Sequence, residues 1–355
     1  MCTHNPLHCF IPPYMLEHMS ESRNPKVRYC AIANLACRSA FVATRLTTQS
    51  MLVQSMPGTT PGHKQREVYD ARDSAELPGR LALSEDQPLS GDAAVDEAYE
   101  GSGLVYDFYE QLFERRSLDD NGMALVSSVH VTEVDMQGDR VPLNNAFWNG
   151  RQMAYGDGDG EVFRRFTASP EVIGHELTHG VQSFTSQLVY QGQSGALNEH
   201  FADVFGMLVR QWHERTPVNQ ANWLVGQQLL VPAPTRRGIR DMLHPGTAYS
   251  ADPELGDDPQ PAHMADLYTG QRDRGGVHIN SGIPNRAFAL FAQALGGNAW
   301  EVAGRIWYET LLQLPANSQF SDCARISAKL AGQRRYGAGA RRAVTAAWRE
   351  VGIRL

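Results

Sequence analysis

The stretch that decides the fold is residues 169–180, which read SPEVIGHELTHG. Its histidines at 175 and 179 are four residues apart, so in a helix both imidazoles project from one face and can reach one metal ion. The Ser-Pro pair that opens the stretch favours a helix that starts here, with the serine side chain as the cap. Glu176 lies about 100° round the helix from His175. It can therefore act as a general base on the attacking water instead of binding the metal.

A catalytic zinc needs a third protein ligand and one open position. Glu199 can supply that ligand from residues 194–206, SGALNEHFADVFG, where apolar residues recur at helical spacing. Asp203 follows by four residues and shares the same face. A solvated acidic face is the alternative, but unpaired carboxylates on an apolar stripe are costly. We predict that Glu199 binds the metal and that Asp203 accepts the N–H of a zinc-binding histidine.

With these residues in place, the chain resembles the thermolysin family of zinc metalloendopeptidases. Four stretches carry the resemblance, and two of them are the segments just quoted. The other two are NNAFWNG at 144–150, which leads to YGDGDG at 155–160, and GGVHINSGIPN at 275–285. Their order and approximate spacing match the family over the chain from residue 67 onward.

The resemblance implies the metal centre residue by residue. The zinc ligands that it implies are His175, His179 and Glu199. The residues that it implies as supports of the two histidines are Asp203 and Asn198, and Glu176 is again the base. Zinc chemistry fits the reaction, because the metal polarises a carbonyl and lowers the pKa of water toward about 7.

The same resemblance implies the residues that meet the substrate. Negative charge on the substrate oxygen would be stabilised by His278 and Tyr190, with Asp273 orienting the histidine. The implied contacts to substrate backbone come from Asn145, the Ala146 carbonyl and Arg240. The implied pocket for the residue after the scissile bond is lined by Phe163, Phe166, Val172 and Ile239. An apolar pocket implies cleavage on the N-terminal side of hydrophobic residues, although these four side chains could also be simply core.

Calcium is expected to bind differently from the best-known members, which hold it with acids just after the third zinc ligand. This chain has Arg210 there and almost no acids through Asn222. Calcium needs six to eight oxygen ligands, so we expect the double calcium site to be absent. Calcium elsewhere stays open, at the acids Asp252, Glu254, Asp257, Asp258, Asp157 and Asp159, although solvated loops are favoured.

Residues 1–66 do not match the catalytic unit and are interpreted as a propeptide and linker. Pro12, Pro13 and Leu16 resemble the Pro-Pro-x-x-Leu motif in the short propeptide of the protealysin-like subgroup. We expect this segment to inhibit the enzyme intramolecularly and to be removed by autoprocessing. The expected new N-terminus lies between Phe41 and Arg66; the candidate bonds are Ala40-Phe41, Ser50-Met51, Met51-Leu52 and Ser55-Met56. A degradation tag or an adaptor-binding arm is the alternative.

Four of the five cysteines lie in this segment, at Cys2, Cys9, Cys30 and Cys37. Their spacing is not typical of a zinc knuckle, so free thiols are favoured. A thiolate could instead fill the open zinc position before maturation, because thiolate binds zinc strongly. The sequence does not choose between the cysteines.

The fold class expected is α+β with two lobes. Residues 67–186 would form a β-rich catalytic lobe that ends with the zinc helix, and residues 187–355 a mainly helical lobe. The net charge of −7 argues against nucleic acid as a partner, and no apolar run has the length of a membrane span. No basic start followed by an apolar run is visible at the N-terminus. We therefore expect a cytoplasmic protein, or one secreted without a leader.

The function predicted is that of a zinc-dependent neutral endopeptidase, made as an autoprocessing zymogen, with protein or peptide substrates. A catalytically silent protein that keeps the zinc fold for binding is the rival. The intact Glu176 and His278 argue against it, because a scaffold needs neither a base nor an oxyanion donor. A zinc aminopeptidase is a weaker third choice, since no element that would recognise a free amine is recognisable.

Overall fold

A mixed sheet organises the N-terminal lobe of the computed structural model, which describes residues 8–48 and 63–355 and the side chains of 9–36 and 63–355. Its strands are β1 (His8–Cys9), β2 (Arg66–Ser74), β3 (Arg80–Ser84), β4 (Leu125–Val134), β5 (Arg140–Pro142), β6 (Ala146–Trp148) and β7 (Met153–Tyr155). They follow the order β1-β6-β7-β4-β2-β3, and β5 pairs with β4. Strand β4 runs parallel to β2 and β7. The pairs β1–β6, β6–β7 and β2–β3 are antiparallel.

Helices form the rest of the molecule. In chain order they are α1 (Pro13–Met19), α2 (Pro25–Thr48), α3 (Ala93–Phe113), α4 (Pro170–Ser183), α5 (Gly192–Glu214), α6 (Arg272–Asn280), α7 (Gly282–Leu295), α8 (Val302–Leu311), α9 (Phe320–Ala331) and α10 (Ala340–Glu350). A short ribbon pairs β8 (Leu224–Val225) with β9 (Arg240–Asp241). The sheet, the central helix α4 and the helices after it confirm the predicted two-lobed α+β fold.

Helix α4 carries the H-E-x-x-H motif and begins as predicted, but its cap differs. Ser169 occupies the capping position with extended backbone, yet its side chain makes no capping hydrogen bond. The Ser169 carbonyl instead accepts from the amide of Val172 at 3.0 Å. Pro170 has no amide hydrogen to satisfy. The serine side-chain cap that the sequence predicted is therefore wrong, although the helix starts where it was expected.

Close contact between α4 and α5 sets the distance between the two motif helices. A Cβ atom on Gly206 of α5 would lie 2.4 Å from the Glu171 carbonyl oxygen and 2.9 Å from the His175 amide nitrogen. Any side chain at this position would push the helices apart. Glycine here therefore lets Glu199, two turns earlier on α5, reach the histidines of α4.

Aromatic rings tie α3 to this helix pair. The Phe205 ring lies with its centroid 5.7 Å from Tyr109 and 5.8 Å from Phe113, and the Tyr109 hydroxyl is hydrogen-bonded to Thr178 of α4 at 2.8 Å. All of these rings are buried. Replacing such a buried phenylalanine by alanine typically costs about 3–5 kcal/mol, so this cluster fixes the metal-binding helix within the core.

The N-terminal segment is folded onto the catalytic unit. Strand β1 extends the sheet beside β6, and helices α1 and α2 follow it. Helix α2 continues to Thr48, so the Ala40-Phe41 bond lies inside a helix. This candidate bond is therefore in regular helical structure, not in a loop. The other three candidate bonds lie outside the described residues.

Candidate active site

Three side chains converge between α4 and α5. The Nε2 atoms of His175 and His179 lie 3.1 Å apart, and the Glu199 carboxylate lies 3.5 Å from the first and 3.6 Å from the second. All three side chains are buried. In the part of the chain whose side chains are described, they form the single cluster of three or more residues suited to a metal ion.

The orientation of the two imidazoles fits a cation between them. The Nδ1–H of His175 donates to Asp203 at 2.9 Å, and that of His179 donates to the Asn198 side-chain oxygen at 2.7 Å. With Nδ1 of each ring bound in this way, the two Nε2 atoms face each other and are the atoms available to a metal ion. Tetrahedral zinc with bonds of about 2.0–2.1 Å separates its ligand atoms by roughly 3.3 Å. The residues present therefore fit zinc.

Glu176 stands beside this cluster without belonging to it. One carboxylate oxygen accepts a hydrogen bond from the Trp148 amide of β6 at 2.9 Å. The other has no hydrogen-bond partner among the described residues. Burial raises the pKa of Glu176 to about 8. A carboxylate that is held on one oxygen and unbonded on the other is placed to exchange a proton with a molecule in the cleft.

His278 approaches the cluster from α6. The chain at Asp273 and Arg274 has φ of 53° at both residues, which is uncommon for residues with a side chain. This turn lets the Asp273 carboxylate accept from both the amide and the Nδ1–H of His278, each at 2.7 Å. Burial lowers the pKa of His278, but the carboxylates of Asp273 and Glu199 outweigh it, and the net shift is upward. Tyr190 donates its hydroxyl to Glu199 and lies 3.2 Å from His278 Nε2.

A buried polar chain extends from the metal cluster into the helical lobe. Asp203 also accepts from the side-chain amide of Asn285 at 2.9 Å, and the Asn285 oxygen accepts from His200 Nδ1 at 2.8 Å. The Trp307 indole donates to His200 Nε2 at 2.7 Å. Burial lowers the pKa of His200 to about 4, so this imidazole is neutral. Sequence reasoning gave His200 and Trp307 no role, because their partners come from different helices.

The four predicted pocket residues are fully buried in the main apolar core, which also contains Phe10 of the N-terminal segment; they are Phe163, Phe166, Val172 and Ile239. The rings of Phe163 and Phe166 have centroids 5.8 Å apart, and the side chains of Ile239 and Phe10 both lie next to Gly226. The Phe10 ring packs edge-on against the His175 ring, with centroids 5.1 Å apart. The Arg240 guanidinium lies 4.8 Å from the centroid of the Phe10 ring. Phe10 therefore fills an apolar space beside the metal cluster.

Backbone groups of the N-terminal segment bind the residues expected to bind substrate. The Phe10 amide donates to the Ala146 carbonyl at 3.1 Å, and the Ile11 amide donates to the Asn145 side chain at 3.0 Å. Arg240 donates to the Phe10 carbonyl at 3.3 Å. Residues of the predicted propeptide motif anchor this stretch, since Pro12 and Leu16 are buried and Pro13 is half-buried.

Asn34 of α2 fixes the same segment at a second point, which the sequence did not predict. Its side-chain amide donates to the Pro142 carbonyl at 2.9 Å, and its oxygen accepts from the Asn144 amide at 2.9 Å. Both groups lie just before Asn145 in the chain. Helix α2 therefore holds the chain immediately before Asn145.

The described cysteines do not face the metal cluster. Cys9 is buried in a separate apolar cluster with Phe147 and Leu143, and the Cys30 thiol donates to the Pro142 carbonyl at 3.3 Å. Neither sulfur belongs to the group of possible metal ligands. The alternative of a zinc-bound thiolate is therefore unsupported for both residues. Cys2 and the side chain of Cys37 lie outside the described part of the chain.

Arg210 is buried among carboxylate and carbonyl oxygens. Its guanidinium donates to Glu171 at 3.0 Å, to the Leu224 carbonyl at 3.1 Å, and to the carbonyl and side chain of Asn222 at 3.1 and 2.8 Å. Carboxylate and carbonyl oxygens are the ligands that calcium prefers. In this protein the Arg210 guanidinium donates hydrogen bonds to these oxygens.

The other acids considered for calcium lie in loops. Asp159 accepts three backbone amides, from Glu161, Val162 and Phe163. Asp252 accepts from Thr235, Arg236 and two backbone amides, and Asp258 accepts from three backbone amides. These carboxylates therefore stabilise the turns in which they lie by accepting backbone amide hydrogens.

A buried H-E-x-x-H helix, a glutamate from the next helix and a separate carboxylate base together define a zinc peptidase. The model of the "Thermolysin metallopeptidase, catalytic domain" matches residues 46–183, and that of the "Thermolysin metallopeptidase, alpha-helical domain" matches residues 186–353. The chain belongs to the thermolysin family. It is a zinc metalloendopeptidase.

Relatives define the subgroup. The "Extracellular metalloprotease" of Pectobacterium carotovorum subsp. carotovorum is 44% identical over 358 residues, covering 99% of this chain and 97% of the relative. "Protease PrtS" of Photorhabdus sp. (strain Az29) is 42% identical over 350 residues, covering 97% and 92%. The solved precursor of protealysin, a metalloproteinase from Serratia proteamaculans, is 44% identical with a TM-score of 0.85 and covers 98% of this chain and 99% of that one. Similarity to a precursor confirms the predicted protealysin-like zymogen.

The predicted location is wrong. We expected a cytoplasmic protein or one secreted without a leader, whereas the relative from Pectobacterium is named an extracellular metalloprotease, which points to secretion. Within residues 8–48 and 63–355, no helix combines the length and the apolar character needed to cross a membrane.

Proposed function

We propose that this endopeptidase uses Glu176 as its general base and is held inactive by its own N-terminal segment. The observation that carries the proposal is the position of Glu176. It lies beside the three-residue metal cluster, with one oxygen on the Trp148 amide and the other unbonded among the described residues. A carboxylate that acts as a general base needs one oxygen that can accept a proton from water.

The roles of the remaining residues follow from their geometry. His175, His179 and Glu199 hold zinc, which when bound polarises the substrate carbonyl and lowers the pKa of water. Glu176 accepts a proton from the attacking water and passes it to the leaving nitrogen. His278 and Tyr190 donate to the substrate oxygen as its negative charge grows, and each such donor typically contributes about 3 kcal/mol.

Supporting residues keep these groups in place. Asp273 binds His278 Nδ1–H, so that Nε2 faces the cleft. Asp203 and Asn198 do the same for the two zinc histidines, and such partners typically change metal affinity by about 10–100-fold.

Substrates bind as an extra strand beside β6. Asn145, the Ala146 carbonyl and Arg240 hold the substrate backbone, and the residue after the scissile bond enters the apolar pocket. That pocket is lined by Phe163, Phe166, Val172 and Ile239. An apolar pocket selects protein or peptide bonds on the N-terminal side of hydrophobic residues, and one methylene of fit changes selectivity by about 1–3 kcal/mol.

Residues 1–66 act as propeptide and linker, 67–186 as the first catalytic lobe and 187–355 as the second. The support for inhibition is that residues 10 and 11 use the backbone partners that a substrate needs. Autoprocessing then releases a form that begins between Phe41 and Arg66.

The test compares the wild-type chain with Glu176→Gln. Both should bind about one zinc per chain, and the wild type alone should hydrolyse casein, in a manner abolished by a zinc chelator. A dipeptide with a free amine should be a poor substrate for both. Casein hydrolysis by zinc-loaded Glu176→Gln would overturn the assignment of the base, and a preference for the free-amine dipeptide would indicate an aminopeptidase.

A further inference from the structure

The backbone of the N-terminal segment is bound on both sides of one peptide bond. On the N-terminal side of that bond, the Cys9 carbonyl accepts a hydrogen bond from His278 Nε2 at 3.1 Å. On its C-terminal side, the Phe10 amide donates to the Ala146 carbonyl at 3.1 Å. The oxyanion donor and the strand β6 therefore hold the two ends of the bond that joins Cys9 to Phe10.

Side chains agree with this register. Cys9 ends strand β1, and the chain bends at Phe10 and Ile11. Phe10 is fully buried in the main apolar core, where its ring packs on His175 and lies next to Gly226 together with Ile239, whereas Cys9 is buried in a separate cluster. The large apolar residue therefore follows the held bond, as the proposed specificity requires.

The following residues continue the same mode of binding. Arg240 donates to the Phe10 carbonyl at 3.3 Å, and Asn145 accepts from the Ile11 amide at 3.0 Å. A shift of the segment by one residue would break every one of these bonds and turn Phe10 out of its pocket. The register is thus defined by four backbone hydrogen bonds and one buried side chain.

We propose that Cys9–Phe10 is a peptide bond that this enzyme hydrolyses in its own chain, at a site distinct from the segment around residues 41–66. This inference rests on the proposed function. In the reaction the oxygen of one water molecule bonds to the Cys9 carbonyl carbon, and the bond from that carbon to the Phe10 nitrogen breaks. Glu176 carries one proton of the water to the Phe10 nitrogen, and the second proton passes from the new carboxyl group to the released amine, so that residue 9 ends as a carboxylate and residue 10 begins as an ammonium group.

Cleavage here does not free the cleft. The contacts of Arg240 with the Phe10 carbonyl and of Asn145 with the Ile11 amide lie on the C-terminal side of the bond and survive it. Helices α1 and α2 remain attached through buried residues such as Met15, Leu16 and Asn34. The chain that starts at Phe10 therefore stays inhibited, and activation needs the later cut.

Because the segment is bound to its own catalytic unit, the reaction is first order in the chain. The experiment adds zinc to metal-free full-length protein and follows intact mass over time at two protein concentrations tenfold apart. Wild type should lose residues 1–9 at the same rate at both concentrations, while casein hydrolysis stays low until a later cut. Glu176→Gln should keep its full mass.

Matched variants test the register. Phe10→Leu should still be cut between residues 9 and 10, because leucine fits an apolar pocket, whereas Phe10→Asp should lose that cut by at least tenfold in rate. A readout without catalysis uses metal-free protein: amide hydrogens of Phe10 and Ile11 should be protected from exchange, and Asn145→Ala should expose that of Ile11. Unprotected amides at both positions would overturn the register.

The outcomes separate this inference from the proposed function. Protein that hydrolyses casein and cuts its later segment, yet keeps the Cys9–Phe10 bond intact throughout, overturns the inference and leaves the function standing. Zinc-loaded protein that cuts neither itself nor casein overturns both. Loss of residues 1–9 that accelerates in proportion to protein concentration would show cutting by a second molecule and would overturn cleavage within the chain.

Discussion

Asp203 and Arg240 form a buried ion pair with two hydrogen bonds, of 2.8 Å from Nε and 2.7 Å from Nη2. Burial raises the pKa of Asp203, but Arg240 and His175 outweigh it, so the carboxylate stays ionised. The same carboxylate holds the zinc histidine His175. One residue therefore supports both the metal centre and the arginine that binds the backbone in the cleft.

The first prediction concerns this shared support. Asp203→Asn should lower zinc affinity by about 10–100-fold and also raise KM, because Arg240 loses its charged partner. Asn198→Ala should lower zinc affinity alone, since Asn198 contacts His179 and no residue that binds substrate backbone. Chelator competition and KM at saturating zinc measure the two effects. Equal KM values for both variants would contradict the shared role.

The second prediction concerns the oxyanion donor. His278→Ala should lower kcat/KM by roughly a hundredfold or more, chiefly through kcat, at unchanged zinc content. Asp273→Asn should give a smaller loss of the same kind, because it weakens only the orientation of the imidazole. Steady-state kinetics on matured enzyme provide the values. A change confined to KM would mean that His278 only binds substrate.

The sequence predicted the parts of the site whose spacing is local. His175, Glu176 and His179 follow from one helical turn, and Glu199 follows from the pattern of the next helix. The polar chain behind Asp203 could not be found from spacing, since Asn285, His200 and Trp307 come from three helices and are hydrogen-bonded in series only after these helices have packed. Arg210 was recognised as the wrong residue for calcium, but its four oxygen acceptors come from helix α4, strand β8 and the residue Asn222 before that strand, and no spacing reveals that they meet.

The third prediction concerns Arg210. A calcium-selective chelator should leave the denaturation midpoint of the wild type unchanged, because the guanidinium already satisfies Glu171 and the nearby carbonyls. Arg210→Met should lower the free energy of unfolding by about 3–5 kcal/mol, the usual cost of leaving a buried charge without its partner. Urea unfolding in the Glu176→Gln background avoids self-digestion. Strong stabilisation of the wild type by calcium would contradict this prediction.

The fourth prediction concerns pH. His130 is hydrogen-bonded to Asp157 at 2.7 Å and faces Asp92 at 3.2 Å. The hydrogen bond to Asp157 raises the pKa of His130, and burial lowers it. The negative charges of Asp157 and Asp92 raise it further, and the pKa is about 9. The unfolded value is about 6.5, so this stabilisation is complete below pH 6.5 and is lost as pH rises through 9.

His130→Asn should remove that part of the pH dependence. Unfolding free energies between pH 6 and pH 10, in the Glu176→Gln background, should therefore converge for the two proteins at the alkaline end. Parallel curves over the whole range would show that His130 contributes nothing through its charge.

The pairing of β1 with β6 has a further consequence for the matured enzyme. When β1 departs, the backbone groups of β6 that it had satisfied become an open sheet edge, and such edges invite pairing with other chains. In most proteins an edge of this kind is an aggregation hazard, yet under the proposed function it is also the edge on which extended peptides bind. The N-terminal segment thus covers a sheet edge that substrate binding needs to be open, and it keeps that edge from pairing with other chains until the segment is removed.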